Sequence, residues 1–157
     1  MREVTRRELI AGSAAAAAGV CACCGGGCAT FTGVGKTPSI DAGAYTVKDG
    51  KLEIDLGKAT QLATVGGSVK IIDPALSDSL IVVRTGDEQY VVASLICTHR
   101  GKVELNYQHD QKRFKCASLG SSKFGLDGKN LGGPADKPLR IYKVSKTDGA
   151  LVVALSA

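Results

Sequence analysis

The sequence predicts an all-β domain over residues 45–157, and three observations support this prediction. Apolar residues fall in short runs of strand length rather than in long segments. Turn signals rich in glycine, aspartate and proline separate these runs. No segment of helix length places its apolar residues at the 3.6-residue spacing of an amphipathic helix. Short strands with such punctuation are typical of a β-sandwich or a small barrel.

Eight strands are expected in this region. The first, Lys51 to Asp55, alternates between apolar and polar residues. The next two runs follow Gly66-Gly67 and Asp73-Pro74, and the tripeptide 85–87 joins the third run to the fourth as a hairpin. Further turns at Asp127-Gly128, Gly132-Gly133-Pro134 and Asp148-Gly149 separate the later runs. The complete set is 51–55, 68–72, 79–84, 89–95, 112–116, 122–126, 139–145 and 150–155.

Residues 1–35 have the composition of an export signal. A polar start carrying Arg2, Arg6 and Arg7 precedes an uncharged stretch of mostly Ala, Gly and Cys. The segment from Thr5 to Ile10 resembles a twin-arginine export signal, the alternative being a chance arginine pair before a low-complexity stretch. We therefore expect export across the bacterial inner membrane, to the periplasm or to the outer side of that membrane. Residues 36–44 are expected to form a linker.

The end of the signal allows several readings. Val20-Cys21-Ala22-Cys23 loosely resembles a lipobox, with Cys23 as the lipid-bearing residue and a membrane tether at the N-terminus. Cleavage near Ala22 and retention of residues 9–33 as a poor anchor are the alternatives, since no 18-residue run is strongly apolar. The cysteines of this segment resemble a metal nest only weakly, because no histidine accompanies them and three glycines interrupt them. They are Cys21, Cys23, Cys24 and Cys28.

Charge and histidine content exclude two classes of function. Twenty Lys and Arg against 15 Asp and Glu give a net charge of +5, but no basic run is interleaved with aromatic residues. Nucleic acid is therefore not an indicated partner. With only His99 and His109 in the chain, no Ser-His-Asp or paired-carboxylate constellation can be assembled. An accessory or electron-carrying role is favoured over an enzyme acting by itself.

The chemistry-bearing residues of the predicted domain lie in two loops. Cys97 and His99 follow a predicted strand and enter a loop that ends at Gly101. Cys116 ends another strand and enters a second loop, rich in glycine and serine. A thiolate and an imidazole two residues apart on one turn can face the same metal centre, and the second loop can supply the remaining ligands.

These residues resemble the Rieske [2Fe–2S] proteins. The segment from Cys97 to Gly101 is similar to the first ligand loop of that family, and 114–128 is similar to its second loop and the following strand. Gly133, Pro134 and Ala135, followed by Pro138-Leu139, resemble the proline loop that covers the cluster. The resemblance covers about residues 50–155 and implies a Rieske-like small β-sandwich or barrel with two ligand loops and a proline loop.

The resemblance also implies a ligand set. Cys97 and Cys116 would hold one iron of a [2Fe–2S] cluster, and His99 would hold the outer iron. The family's second histidine falls at Leu119, which has no donor atom. His109 is expected in a turn over residues 106–110, away from the cluster. Serine or water oxygens are poor substitutes at an iron–sulfur cluster.

Three hypotheses follow from this departure. The first is an electron-transfer protein with an incompletely ligated [2Fe–2S] cluster, serving a redox partner or a larger exported or membrane complex. The second is a cluster-free Rieske-fold subunit with a structural or binding role, in which residues 117–122 would be mobile or collapsed onto Leu119. The third is a mononuclear zinc or copper site formed by Cys97, His99 and Cys116, with one open position.

Overall fold

A computed structural model of the protein describes residues 35–155. Within this part of the chain, twelve strands and two short 3₁₀ helices, Ala42–Ala44 and Thr60–Leu62, form the secondary structure, which confirms the all-β class. The first six strands are β1 Tyr45–Lys48, β2 Lys51–Asp55, β3 Ser68–Ile71, β4 Leu80–Arg84, β5 Tyr90–Ser94 and β6 Leu105–Gln108. The others are β7 Arg113–Cys116, β8 Lys123–Gly125, β9 Asn130–Gly132, β10 Ile141–Tyr142, β11 Val144–Thr147 and β12 Ala150–Ala154.

The strands of residues 35–155 form three antiparallel sheets of four strands each. The first sheet has the order β1-β2-β12-β11, and the second has the order β10-β5-β4-β3. The third, β6-β7-β8-β9, carries the second cysteine loop, with Leu105 opposite Cys116 in the register of β6 and β7. The last two strands of the third sheet, β8 and β9, are joined through a local register shift at Lys123 and Phe124.

The second sheet lies between two hydrophobic cores. Leu80 and Val82 of β4 belong to one core, whereas Ile81 and Val83 belong to the other. Because successive side chains of a strand point to opposite faces, the run 80–83 is continuously apolar and fully buried. The second of these cores contains Cys97 and Cys116, so the sheets place both sulfurs at the edge of a packed interior.

The structure differs from the sequence prediction at four places. Strands β1, β6 and β9 were not predicted, and the predicted strand 139–145 is divided into β10 and part of β11 at Lys143. All three residues of β9 are exposed, so this strand carries no pattern of buried positions. Strand β6 does alternate, with Leu105 and Tyr107 between polar residues, and this signal could have identified it.

Residues 35–40, which comprise the last residue of the predicted export signal and the start of the predicted linker, lie against the domain as a strap. The Lys70 N–H donates to the Pro38 carbonyl at 2.8 Å, and the Ile40 N–H donates to the Lys70 carbonyl at 3.0 Å. The Gly35 N–H donates to a carboxylate oxygen of Glu104 at 2.7 Å. The same carboxylate holds the Lys70 ammonium at 2.9 Å, with both side chains only 12% exposed. One nearly buried ion pair thus fixes the strap beside β6.

Glu104→Ala is expected to destabilise the domain by about 2–3 kcal/mol. The change leaves the Lys70 ammonium without its counter-charge, and breaking a fully buried pair costs about 3–5 kcal/mol. The free energy of unfolding in urea measures the loss, and limited proteolysis measures release of the strap. Glu88→Ala is the control, because Glu88 also pairs with a lysine, Lys146, but is 71% exposed, and the expected change is below about 1 kcal/mol. Equal effects of the two substitutions would contradict this account.

None of the helices in residues 35–155 is long and apolar enough to cross a membrane. The predicted export signal, the lipidation candidate Cys23 and the other cysteines of that segment lie outside the described residues.

Candidate metal centre

The first loop begins after β5 and closes on itself. The Cys97 N–H donates to the Val103 carbonyl at 2.8 Å, and the Gly101 N–H donates to the Cys97 carbonyl at 3.1 Å. Gly101 has a φ of +63°, a conformation that glycine adopts without the steric cost of a Cβ atom. In the loop that these bonds close, Cys97 is completely buried, and His99, two residues further along, is partly exposed.

The second loop begins at Cys116, the last residue of β7. The Cys116 N–H donates to the Ser122 carbonyl at 2.8 Å, which brings the two ends of the loop together. Inside the loop, the Ser121 N–H donates to the Ser118 carbonyl at 3.1 Å. Ser121 adopts a φ of +47°, an uncommon conformation for a residue other than glycine. Cys116 is 2% exposed, so its sulfur also faces the interior.

The segment after β9, predicted as a proline loop, contacts both cysteine loops. The Thr98 hydroxyl of the first loop donates to the Lys137 carbonyl at 2.8 Å. The Asn130 amide donates to the Ala135 carbonyl, and Ala135 is almost fully buried in the core that contains both cysteines. Pro134 lies against Gly120 of the second loop. Three segments distant in sequence therefore enclose one site.

Gly133→Ala is expected to destabilise the domain by about 2–3 kcal/mol and to loosen the second loop. A Cβ atom at Gly133 would lie 2.5 Å from the Cα atom of Ser122, and the φ of +96° disfavours any side chain. Thermal or urea unfolding measures the loss. Gly132→Ala is the matched control, because its φ of +143° is also positive but nothing lies within 4 Å of the added Cβ. A loss at Gly132 as large as the loss at Gly133 would show that contact with Ser122 is unimportant.

The two loops bring three donor atoms together. The Cys97 Sγ and the His99 Nδ1 are 3.5 Å apart. Cys97, His99 and Cys116 each offer one donor atom, and these atoms lie within 4.8 Å of one another. Among residues 35–155 this is the only group of three or more Cys, His, Asp or Glu side chains so arranged. The site residues predicted from the two loop motifs thus converge in space.

Burial raises the pKa of the Cys97 thiol above its ordinary value, and the nearby Cys116 thiol raises it further. The backbone N–H of His99 and, to a smaller extent, the Ser122 hydroxyl act in the opposite direction and lower this pKa. Both cysteines are free thiols. A thiol in such surroundings is a poor nucleophile, and a bound metal cation would favour its thiolate form instead.

Leu119 projects from the second loop into solvent and is 88% exposed. The loop is therefore not collapsed onto this side chain, in contrast to the arrangement expected of a cluster-free domain. The Ser118 hydroxyl, two residues from Cys116, lies 3.1 Å from the Cys116 Sγ. No donor atom at position 119 accompanies the three converging side chains.

His109 lies apart from the three donor residues. Its Nδ1 is 3.1 Å from the Tyr107 hydroxyl, and the ring packs against Gly66. The prediction of a turn over residues 106–110 is wrong for residues 106–108, which belong to β6. The chain turns after Gln108. Pairing of β6 with β7 sets the direction of this segment.

One further residue of the site, Glu104, was not assigned a place in it from the sequence. Glu104 accepts the Ala117 N–H at its carbonyl while its carboxylate holds the strap, so it connects the second loop to residues 35–40. Ser122 is fully buried, and its hydroxyl makes no hydrogen bond of regular geometry among the described residues. The same hydroxyl lies beside Cys97 and lowers the pKa of that thiol, so it can donate to a sulfur ligand of the site.

An antiparallel β fold that presents two cysteines and a histidine from facing loops defines a protein with a soft-metal or iron–sulfur centre. Residues 51–143 match the family model of the Rieske [2Fe-2S] domain. The chain belongs to that family.

Two curated relatives are cytochrome b6-f complex iron-sulfur subunits. The subunit of Chlorobaculum tepidum is 32% identical over 66% of this chain and 54% of its own length. That of Gloeobacter violaceus is 31% identical over 68% of this chain and 58% of its own length. The chain thus spans a little over half the length of the curated relatives it matches.

Solved structures agree on the fold. The ferredoxin of carbazole 1,9a-dioxygenase from Nocardioides aromaticivorans IC177 superimposes with a TM-score of 0.50 at 23% identity, covering 62% of this chain and 91% of the ferredoxin. At this identity the likeness concerns the fold alone.

The residues present fit a [2Fe–2S] cluster at three ligand positions. By donor type, Cys97, Cys116 and His99 supply the two thiolates and one of the two imidazoles that the Rieske arrangement uses. The Ser122 hydroxyl lies beside Cys97 and offers a further hydrogen-bond donor. Leu119 does not fit the fourth position, because a leucine side chain carries no donor.

Proposed function

We propose that this chain transfers electrons through a [2Fe–2S] cluster held by Cys97, Cys116 and His99, with the position of Leu119 left without a protein ligand. The observation that carries the proposal is the meeting of two thiols and one imidazole at one site, from two loops of a Rieske domain. When bound, the cluster accepts one electron from a reduced donor and passes one electron to an oxidised acceptor.

The chain's own residues bury and orient this site. Cys97 and Cys116 belong to a packed core, which keeps water from the sulfur ligands. His99 is partly exposed, and its imidazole therefore offers the route of contact between the site and a partner protein. The Ser122 hydroxyl lies beside Cys97, and a hydrogen bond from it to the sulfur would raise the reduction potential of an iron–sulfur centre.

We also propose that the protein acts outside the bacterial inner membrane, as a carrier or subunit of an exported redox complex. The twin-arginine-like segment 5–10 supports export, and cargo of that route often carries a cofactor inserted before transport. The two relatives named above are subunits of a cytochrome b6-f complex, which supports a multi-subunit partner.

A reductive titration tests the electron-transfer proposal. Protein matured with iron and purified without oxygen is reduced stepwise, and its visible and electron-paramagnetic spectra are recorded. The expected result is one electron taken up reversibly per chain, with a signal typical of a reduced [2Fe–2S] centre. Irreversible bleaching on the first reduction, with loss of iron, would contradict a role in electron transfer.

A second function, a cluster-free structural or binding subunit, is favoured by one observation, the lack of a donor atom at Leu119. This alternative predicts a colourless protein that folds and binds its partner without iron. Comparison of iron-depleted and iron-supplied cultures separates the two functions, since only the cluster-free subunit is equally stable in both.

A further inference from the structure

We infer that the Cys97–His99–Cys116 group also holds a single Zn²⁺ ion when no cluster is inserted, as a three-ligand site with an open fourth position. The inference goes beyond the proposed function, because it concerns a different metal and the iron-free chain. It starts from the mismatch at Leu119: the protein supplies three donors, not four.

The distance between the donor atoms of Cys97 and His99 matches the distance between two ligand atoms on one zinc ion. Zinc binds thiolate sulfur at about 2.3 Å and imidazole nitrogen at about 2.0–2.1 Å, so a tetrahedral angle separates the two donors by about 3.6 Å. The Cys97 Sγ and the His99 Nδ1 are 3.5 Å apart. In a Rieske cluster the histidines bind one iron and the cysteines the other, so a cysteine and a histidine are separated by both irons.

The third donor requires little movement. Two thiolates on one tetrahedral zinc ion lie about 3.8 Å apart, given the bond length of about 2.3 Å. Because no pair among the three donor atoms exceeds 4.8 Å, the Cys116 sulfur reaches this geometry with a shift on the order of 1 Å. His99 lies in a partly exposed loop, so its ring has the freedom to adjust.

The donor set also selects the metal. Two thiolates and one imidazole are soft and borderline ligands, which suit Zn²⁺ and exclude Mg²⁺ or Ca²⁺. The same Cys₂His set with one open position is known for catalytic zinc. The open fourth position is taken by water, as at the catalytic zinc sites with three protein ligands.

Zinc and cobalt titrations of the full chain, purified free of iron, test the inference. We expect uptake of one Zn²⁺ per chain at this site, and with Co²⁺ the intense visible absorption of a tetrahedral thiolate complex. His99→Ala is expected to weaken this binding at least about tenfold, since even the loss of a residue that only orients a ligand costs about 10–100-fold. His109→Ala, the matched histidine control, leaves it unchanged.

Any zinc held by the cysteines at residues 21–28 is bound equally by the native and His99→Ala chains. The difference in zinc binding between the two chains therefore reports only the site that contains His99. His99 is partly exposed, so its replacement leaves the fold intact, which circular dichroism verifies. Equal zinc affinity of the native and His99→Ala chains, or an octahedral cobalt spectrum, would overturn the inference. Iron and sulfide in the iron-matured protein decide the proposed function separately, so each proposal can fail while the other stands.

Discussion

His99→Ala is expected to abolish the Rieske-type electron-paramagnetic signal and to reduce the iron retained per chain to less than about a tenth. With Leu119 unable to ligate, His99 supplies the only protein imidazole near the two sulfurs, 3.5 Å from the Cys97 Sγ. Its loss would leave the outer iron without any protein ligand of the Rieske set. Loss of a residue that only orients a metal ligand lowers metal affinity by about 10–100-fold. Loss of the ligand itself is expected to lower it at least as much.

His109→Ala is the matched control for this experiment. Its imidazole contacts the Tyr107 hydroxyl and Gly66 rather than the sulfurs, so iron content and signal are expected to stay at the native level. A native signal in His99→Ala would refute the ligand assignment. Loss of the signal in His109→Ala would show that His109 moves into the site in the iron-bearing protein.

Leu119→His is expected to increase the lifetime of the cluster in air by roughly tenfold or more. The substitution adds an imidazole at the position where the Rieske pattern has its second histidine. Because Leu119 is 88% exposed, the exchange removes no core contact and does not disturb folding. A neutral imidazole in place of a non-protein ligand is also expected to move the signal toward that of a fully ligated Rieske centre.

Leu119→Ala separates the effect of the donor from the effect of removing leucine. It shortens the same exposed side chain without adding a ligand, and the lifetime of the cluster is expected to remain that of the native chain. An equal gain with alanine would mean that leucine itself destabilises the cluster. No gain with histidine would mean that position 119 lies out of reach of the outer iron.

Most of the fold could be predicted because its information is local. Alternation in Lys51–Asp55 and turns such as Asp148-Gly149 depend on neighbouring residues, and the strands they predict are present. The exposed strand β9 has no such pattern, since its pairing with β8 and not burial holds it in place. The same limitation applies to β1, whose residues alternate only between exposed and partly exposed.

The candidate site was predictable to the extent that its residues lie in short motifs. Two loop motifs identify Cys97, His99 and Cys116 as candidate ligands. The distances between their donor atoms could be obtained only from the folded structure. Glu104 could not be found in this way, because its partners, Lys70 and Gly35, are 34 and 69 residues away in sequence. The strap that this carboxylate holds appears in the sequence only as a linker.

Iron and acid-labile sulfide per chain, measured on protein matured with iron and purified without oxygen, test the central claim most directly. The account predicts about two irons and two sulfides per chain, together with the electron-paramagnetic signal of a [2Fe–2S] centre on reduction. A colourless, iron-free and stably folded protein would contradict it.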